Sequence, residues 1–557
     1  MKQFERAVAL FSALVLVLSG CRGNPSASSS GSSENTPAAV QRDYMTLLYS
    51  QADTFNPYTA KTDVNRQLCR LLYEPLVKLD NNFVPHYSVA SGSELDGKTC
   101  KVTLKNINFS DGSRVTADDV VHSFKLAKAS SGEYAYKLSS VTSASASGSG
   151  TVVFTLQKAD PYALNLLDFP ILKKGSESRT DSDSVVLPPI GCGRYMLNEA
   201  GDGLVLNGNS FDTSAYSVKR INLINAPDAE SVSHYVEVGA ADMYYSDISD
   251  GNILRMSGKK VNINLNSLVF LAVNQNYGDL KLNQLRQAIS SALDREAVCR
   301  DGFYNNALPA TGFFNPVWEA VKSVQNIQTA ADEQITVENL EEIGYNKLDS
   351  SGVRKNQNGT QLKFELMVNS ENRLRVAVAQ LIAAQLGNYG FKIQVVEKPY
   401  AEYNSKLAAG EFQLCLAEVA ITPNMDISSL VTKGGAVAFG LPDEESSGDS
   451  SKKTDSSNND TGSAGSSSGE SSSSDTSSDT SADENITAAK TIAELVEGLY
   501  GGTNTAADLA SVLQTEMPFI PVCYRTGVLF YNDNIENVSD SSVSDIYFSI
   551  GSYIINN

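Results

Sequence analysis

Phe109-Ser-Asp-Gly-Ser-Arg-Val-Thr-Ala-Asp-Asp-Val-Val-His-Ser-Phe124 carries more local instruction than any other stretch of this chain. Asp111-Gly112 is a turn dipeptide. Thr116 is placed to cap a helix, and Asp119, three residues on, completes a capping box. Val115 and Val120 fall at the N′ and N4 positions of a hydrophobic staple. Asp118 and Asp119 sit in the first turn, where the helix dipole favours negative charge. Read by these rules alone, the stretch is a strand, a turn and a helix.

As a string, the stretch resembles the signature F-x-D-G-x-x-(F/V/L)-T-A-x-D-V-x-x-S-(F/L/Y) of the family 5 extracellular solute-binding proteins. These are the peptide, nickel and oligosaccharide receptors of ABC importers. Other segments resemble the same family. Leu72-Tyr-Glu-Pro-Leu-Val-Lys-Leu-Asp80 is similar to its Y-E-x-L-x-x-x-D stretch. Ile190-Gly-Cys-Gly-Arg-Tyr-Met-Leu197 is similar to its G-T-G-P-Y-x-L strand entry, with Cys192 for Thr and Arg194 for Pro. Leu285-Arg-Gln-Ala-Ile-Ser-Ser-Ala-Leu-Asp-Arg-Glu296 is close to its R-Q-A-(I/L)-x-x-A-(I/L)-D-R-E helix, and Met517-Pro-Phe-Ile-Pro-Val-Cys-Tyr524 to its return strand. The resemblance covers about residues 42–441 and 487–557.

The amino terminus fits a secreted receptor. Lys2 and Arg6 precede a run from Val8 to Leu18 broken only by Ser12. That run is short of the ~20 residues a bilayer crossing needs and reads as a signal-peptide core. Leu18-Ser-Gly-Cys21 resembles a lipobox, so residues 1–20 are expected to be removed and Cys21 lipidated. Residues 21–40, rich in Ser, Gly, Asn and Pro, read as a flexible tether with a reach of about 25 Å. Residues 442–484, dominated by Ser, Asp, Gly and Thr, read as a solvated, disordered insert. Gly465-Ser-Ser-Ser-Gly469 within it spells a nucleophile elbow but lacks the strand and helix that motif needs.

The chain has 557 residues, 44 basic and 64 acidic, for a formal charge of −20. Such a balance argues against nucleic acid or anionic lipid as a binding surface. Six cysteines remain besides Cys21: Cys69, Cys100, Cys192, Cys299, Cys415 and Cys523. Spacing does not decide between disulfides and thiols. Apolar neighbours favour buried, reduced thiols. No C-x-x-C, H-E-x-x-H or P-loop occurs, and the three histidines, His86, His122 and His234, lack metal-ligand spacing.

Periodicity places strands at Tyr44–Tyr49, Lys101–Ile107, Val152–Leu156, Ile221–Ile224, Val269–Asn274, Gln361–Val368 and Phe391–Val396. Helical spacing runs over Asn65–Leu79, Leu285–Glu296 and Arg373–Tyr389, the last with Leu374, Val378, Leu381 and Ile382 on its core face. The final three elements form a right-handed βαβ crossover. Trp318 reads as core rather than ligand platform.

The resemblance implies an α/β, two-lobed clamp of the periplasmic-binding-protein type (class II), with an extra domain inserted in the first lobe. The expected division is 41–268 plus 515–557 for the first lobe, with the inserted subdomain at about 71–185, and 269–514 for the second. It implies a ligand cleft lined by Lys61, Thr62 and Asp63, by Tyr245, Ser246 and Asp247, by Asn369 to Arg373, and by Glu418 to Asp426, notably Thr422, Asn424 and Asp426. Peptide-binding relatives carry W-x-A-D-Y in this last segment, where the Asp holds an α-ammonium. Here Val419 stands for the Trp and Thr422 for the Asp, with Asp426 as a displaced substitute. The implied activity is capture of a small ligand, an oligopeptide first, for an ABC permease, by a lipid-anchored monomer at the extracytoplasmic face of the membrane, with no cofactor and no catalysis. On the same fold the alternative is a receptor or sensor for an oligosaccharide or metal chelate. In another class it is a secreted hydrolase, for which no base stands beside a nucleophile.

Overall fold

The computed structural model describes residues 41–249, 251, 257–442 and 491–557. The signal segment, Cys21, the tether and all but the first residue of the 442–484 insert lie outside them.

The opening stretch folds as its residues dictate. Gly112 takes a φ of 83°, which the turn requires. Thr116 donates from its amide and its hydroxyl to Asp119 Oδ2, at 2.9 and 2.6 Å, and the helix runs Ala117–Ala129. The remaining polar groups pin a distant segment. Asp119 Oδ1 accepts the Lys174 amide at 2.9 Å, and Ser123 Oγ accepts the Leu172 amide at 3.0 Å. Val115, Val120 and Phe124 bury against an antiparallel sheet made of Ala90–Asp96, Thr99–Leu104, Thr151–Leu156 and Val141–Ala146, in that order. Phe124, Phe154 and Phe169 meet edge to face within one apolar cluster.

A second cluster surrounds the parallel pair Tyr44–Tyr49 and Arg220–Asn225, extended antiparallel by Gly203–Leu206 and Tyr195–Leu197. The paired glycines have a steric reason. A Cβ on Gly191 or Gly193 would lie 2.0 Å from the Leu72 carbonyl oxygen or 2.1 Å from that of Leu71. The helix there is Asp63–Leu72, shorter than the helical spacing suggested. Pro75 disfavours helix in the residue before it, and Val77–Leu79 instead pairs with Pro85–Tyr87.

The third and largest cluster lies around the sheet Leu414–Ala420, Lys363–Asn369, Lys392–Lys398. Lys363–Asn369 and Lys392–Lys398 are parallel, joined by the helix Arg373–Gly387, as expected of a βαβ crossover. Val378 and Ile382 are fully buried, and Leu374 and Leu381 half-buried.

Two long antiparallel strands, Lys259–Val273 and Ile520–Tyr531, belong to both regions. At one end Ile520–Tyr531 also pairs with Met243–Ser246 beside the second cluster. At the other end Lys259–Val273 pairs with Leu414–Ala420 in the third. Between Asn264 and Leu268 their ladder slips register. The first strand thus begins far before the expected Val269. The Leu285–Glu296 helix is in fact two pieces, Asn283–Ser291 and Arg295–Ala297. Asp294 caps the second by accepting the Ala297 amide at 2.8 Å. Its arginines stitch the core. Arg295, fully buried, donates to the Pro521 and Ser290 carbonyls, and Arg286 to those of Met517 and Leu280.

Cys69, Cys100, Cys192, Cys299, Cys415 and Cys523 are all buried free thiols. Burial pushes Cys100 up to about 11 and Cys415 up to about 12. Trp318 is 7 % exposed and packs on Phe314 and Tyr162 as core. Among the described residues no helix is long and apolar enough to cross a membrane.

Candidate functional site: the crevice beside the crossing strands

In open α/β sheets, ligands bind outside the carboxyl ends of parallel strands. Tyr49 and Asn225 mark those ends in one region, Asn369 and Lys398 in the other. The loop after Tyr49 is fixed by Asp53. Its Oδ2 accepts the Thr62 amide and hydroxyl, both at 2.7 Å, and the Lys61 amide at 2.9 Å. Partial burial raises the Asp53 carboxyl, but these bonds outweigh it and hold the carboxyl below its ordinary value. Thr62 is therefore engaged locally. Lys61 and Asp63 are exposed, and Asp63 pairs with Arg66 at the start of the helix.

Tyr245 is buried at the end of Met243–Ser246, with its ring over Gly527. Burial drives its hydroxyl well above the ordinary tyrosine value. Asp247, Glu133 and Asp63 add to the rise, and Arg525 opposes it. Ser246 Oγ accepts the Ile248 amide at 3.2 Å. The Asp247 carboxylate accepts the Ser249 amide and hydroxyl at 2.9 and 2.8 Å, and its carbonyl accepts from Arg525 at 3.1 Å.

The facing wall is the start of the Arg373–Gly387 helix. Asn369 accepts the Glu371 amide. Asn372 caps the helix by accepting the Arg375 amide, and donates to the Ser249 carbonyl at 3.1 Å, a direct bond across the crevice. Arg373 is exposed in the first turn. Arg375 pairs with Glu418 Oε2, Ser267 donates to Glu418 Oε1 at 2.6 Å, and Arg525 Nη1 lies 3.5 Å from the same Oε2.

The segment around Thr422 faces elsewhere. Its carbonyl accepts from Asn266 at 3.0 Å. Asn424 donates to Asp160 at 2.7 Å, Asp426 pairs with Lys158 at 2.9 Å, and Tyr136 donates to the Ala420 carbonyl at 2.6 Å. Asp160 is raised, chiefly by burial. The Asn372 bond to Ser249 thus ties the Asn369–Arg373 loop to the segment that follows Tyr245, Ser246 and Asp247. Asn424 and Asp426 contact Asp160 and Lys158, and Thr422 is tied to Asn266. Sequence reading did not single out Arg375 and Arg525, which share Glu418. Only Arg525 had a local signal, a lone charge in the apolar run Ile520–Tyr531. No group of three His, Cys, Asp or Glu side chains among the described residues is placed to hold a metal ion.

Comparison with known proteins gives a consistent picture. Residues 84–437 match the family model described as bacterial extracellular solute-binding proteins, family 5 Middle. Oligopeptide-binding protein AppA of Bacillus subtilis is 26% identical over 422 residues, covering 71% of this chain and 77% of that protein. The nickel-binding periplasmic protein of Escherichia coli is 22% identical over 363 residues, covering 61% and 68%. The solved periplasmic murein tripeptide-binding protein MppA, unliganded and open, superposes with a TM-score of 0.69 at 16% identity, covering 94% of this chain and 99% of that one.

Proposed function

The chain belongs to the family 5 bacterial extracellular solute-binding proteins and has their two-lobed clamp fold, and on that premise we propose that it captures an oligopeptide in the crevice and hands it unaltered to an ABC permease. The relatives named for their ligands are binding proteins. What supports this reading is that Lys259–Val273 and Ile520–Tyr531, two long paired strands, belong to both regions and join them. Such a linkage suits hinge closure, whose free energy is supplied by guest contacts that exist only in the closed form.

In this reading the first lobe is 41–268 plus 515–557 with a subdomain inserted at about 71–185, and the second is 269–514. Lys61, Asp63, Tyr245, Ser246, Asp247, Asn369 and Arg373 border the guest. Thr422, Asn424 and Asp426 act at the margin, through the subdomain they contact. Cys21 carries the lipid that keeps a monomeric receptor at the outer face of the cell membrane. Changing Cys21→Ala should move the protein to the soluble extracytoplasmic fraction, and retention in membranes would refute the anchor.

Thermal unfolding with peptide pools and with metal chelates tests the ligand. A guest at 100 times its Kd stabilises by about 2.7 kcal/mol. The same guest should compact the protein in solution scattering. A peptide or ester consumed without a thermal shift would support a hydrolase instead.

A further inference from the structure

We propose that Cys299 and Cys523 are a disulfide site, oxidised by a low-molecular-weight disulfide while the chain folds outside the cytoplasm, and that the bond bolts the strand Ile520–Tyr531 to the segment 295–303. Both thiols are free in this structure, and solute capture uses neither. Their segments run side by side. Arg295 Nε donates to the Pro521 carbonyl at 2.9 Å, and the Arg525 guanidinium lies over the Phe303 ring, 5.2 Å from its centre. Cys299 is four residues after Arg295 and four before Phe303, so one helical face carries all three. Cys523 is two residues after Pro521 and two before Arg525, and strand alternation puts it on the face of Arg525. Four residues of helix rise about 6 Å and two residues of strand about 6.6 Å, so the rungs keep step and the cysteines share the middle one. Beyond the last rung, the Thr526 amide donates to the Asn306 carbonyl at 3.0 Å, and Ala307–Pro309 pairs with residues 523–525.

The two thiols meet in a sealed place. Cys523 is fully buried and Cys299 is 5 % exposed, within one apolar cluster. Burial raises the Cys523 thiol well above its ordinary value, the adjoining Cys299 thiol adds to the rise, and Arg525 opposes it. The other thiols keep different company: Cys69 reaches the Phe55 carbonyl, Cys192 those of Glu74 and Ile171, and Cys415 lies against Tyr403. Only a thiolate attacks a disulfide, so the pair is inert once buried, and the bond forms before the strand has closed over it. Cys299 loses its proton and its sulfur attacks the small disulfide, breaking that S–S bond and expelling one small thiolate, which takes up a proton. Cys523 then loses its proton and attacks the Cys299 sulfur of the mixed disulfide, forming the protein bond and expelling the second small thiol. The protein pair is oxidised, and its two electrons end on the small disulfide as two thiols.

The test takes the purified chain, unfolds it in urea and refolds it in a buffer of reduced and oxidised glutathione. Remaining thiols are then alkylated under denaturing conditions and the peptides read by mass spectrometry. Cys69, Cys100, Cys192 and Cys415 should carry the label, and a cross-linked peptide joining Cys299 to Cys523 should appear and vanish on reduction. The linked protein should keep the hydrodynamic radius of the reduced protein and unfold at a higher urea midpoint, because the bond closes a long loop. In Cys299→Ser the cross-link should be lost and the midpoint should no longer respond to reductant. Full labelling of Cys299 and Cys523 in the wild type would overturn the site. So would a link that joins other cysteines, or one confined to expanded protein. A link that leaves the midpoint unchanged or lowered would overturn the bolt.

Discussion

Arg194 shows how one departure from a family pattern is absorbed. It replaces the Pro of the G-T-G-P-Y-x-L pattern that residues 190–197 resemble, and it reaches a buried site between two carboxylates. Nη2 lies 2.6 Å from Asp545, Nη1 donates to the Tyr547 carbonyl at 2.8 Å, and Nε sits 2.9 Å from Glu74 without hydrogen-bond alignment. Lys78 closes the square, 2.7 Å from Glu74 and 3.0 Å from Asp545. Glu74 comes from the Tyr-Glu-Pro-Leu motif, so two motifs noticed separately in the sequence meet in one network. Removing one member of such a group leaves a buried charge unmatched. Arg194→Met should cost about 3–5 kcal/mol in urea unfolding, and the double change with Asp545→Asn should cost less than the sum. The network also sets an acid limit. Burial raises the Asp545 carboxyl, but Arg194 and Lys78 outweigh it and hold the group below its ordinary value of 3.8. Its contribution is therefore complete above that value and is lost as pH falls towards the lower folded one. Stability measured from pH 5 downward should fall in wild type, and more shallowly in Asp545→Asn.

Among elements, what the sequence made legible depended on how local the cause was. The Ala117–Ala129 helix is written in its own caps and staple, and the Arg373–Gly387 crossover in its own periodicity. The end of Asp63–Leu72 was missed because apolar spacing continues past it while Pro75 stops the helix. The start of Lys259–Val273 was missed although Val261, Ile263 and Leu265 alternate with Asn262, Asn264 and Asn266. Polar residues every second position look like a loop until their partners are known. Those partners are remote: Asn264 donates to the Asn81 carbonyl and Asn266 to that of Thr422. Arg375 was illegible for the same reason, while Arg525 showed only as a lone charge in an apolar run, without its partner Glu418. Where Ile520–Tyr531 pairs with Met243–Ser246, a Cβ on Gly527 would lie 2.7 Å from the Tyr245 ring. Gly527→Val should therefore displace Tyr245 and cost about 1–3 kcal/mol by overpacking. Denaturant midpoints would show this, and an unchanged midpoint would mean that the strands can shift apart freely.

For the molecule as a whole, the acidic stretch between residues 443 and 490 enters through its two attachment points. The described chain breaks off after Pro442, beside Leu441, whose carbonyl accepts from Asn276, and resumes at Thr491, which caps the Ile492–Gly501 helix. Neither point touches Tyr245, Arg375 or Arg525. Deleting residues 443–484 should leave solute affinity within about two-fold in calorimetry, and a large loss would place the stretch in the binding site. At the other extreme of the fold, Gln41 bridges Asn556, and the Arg42 amide donates to the Ile555 carbonyl at 2.9 Å. The folded body is therefore closed on itself like a ring, and where the polypeptide is cut is a matter of wiring rather than of architecture. Fusing residue 557 to residue 41 through a few glycines, and opening the chain between 443 and 490 instead, should yield a circular permutant of the same shape.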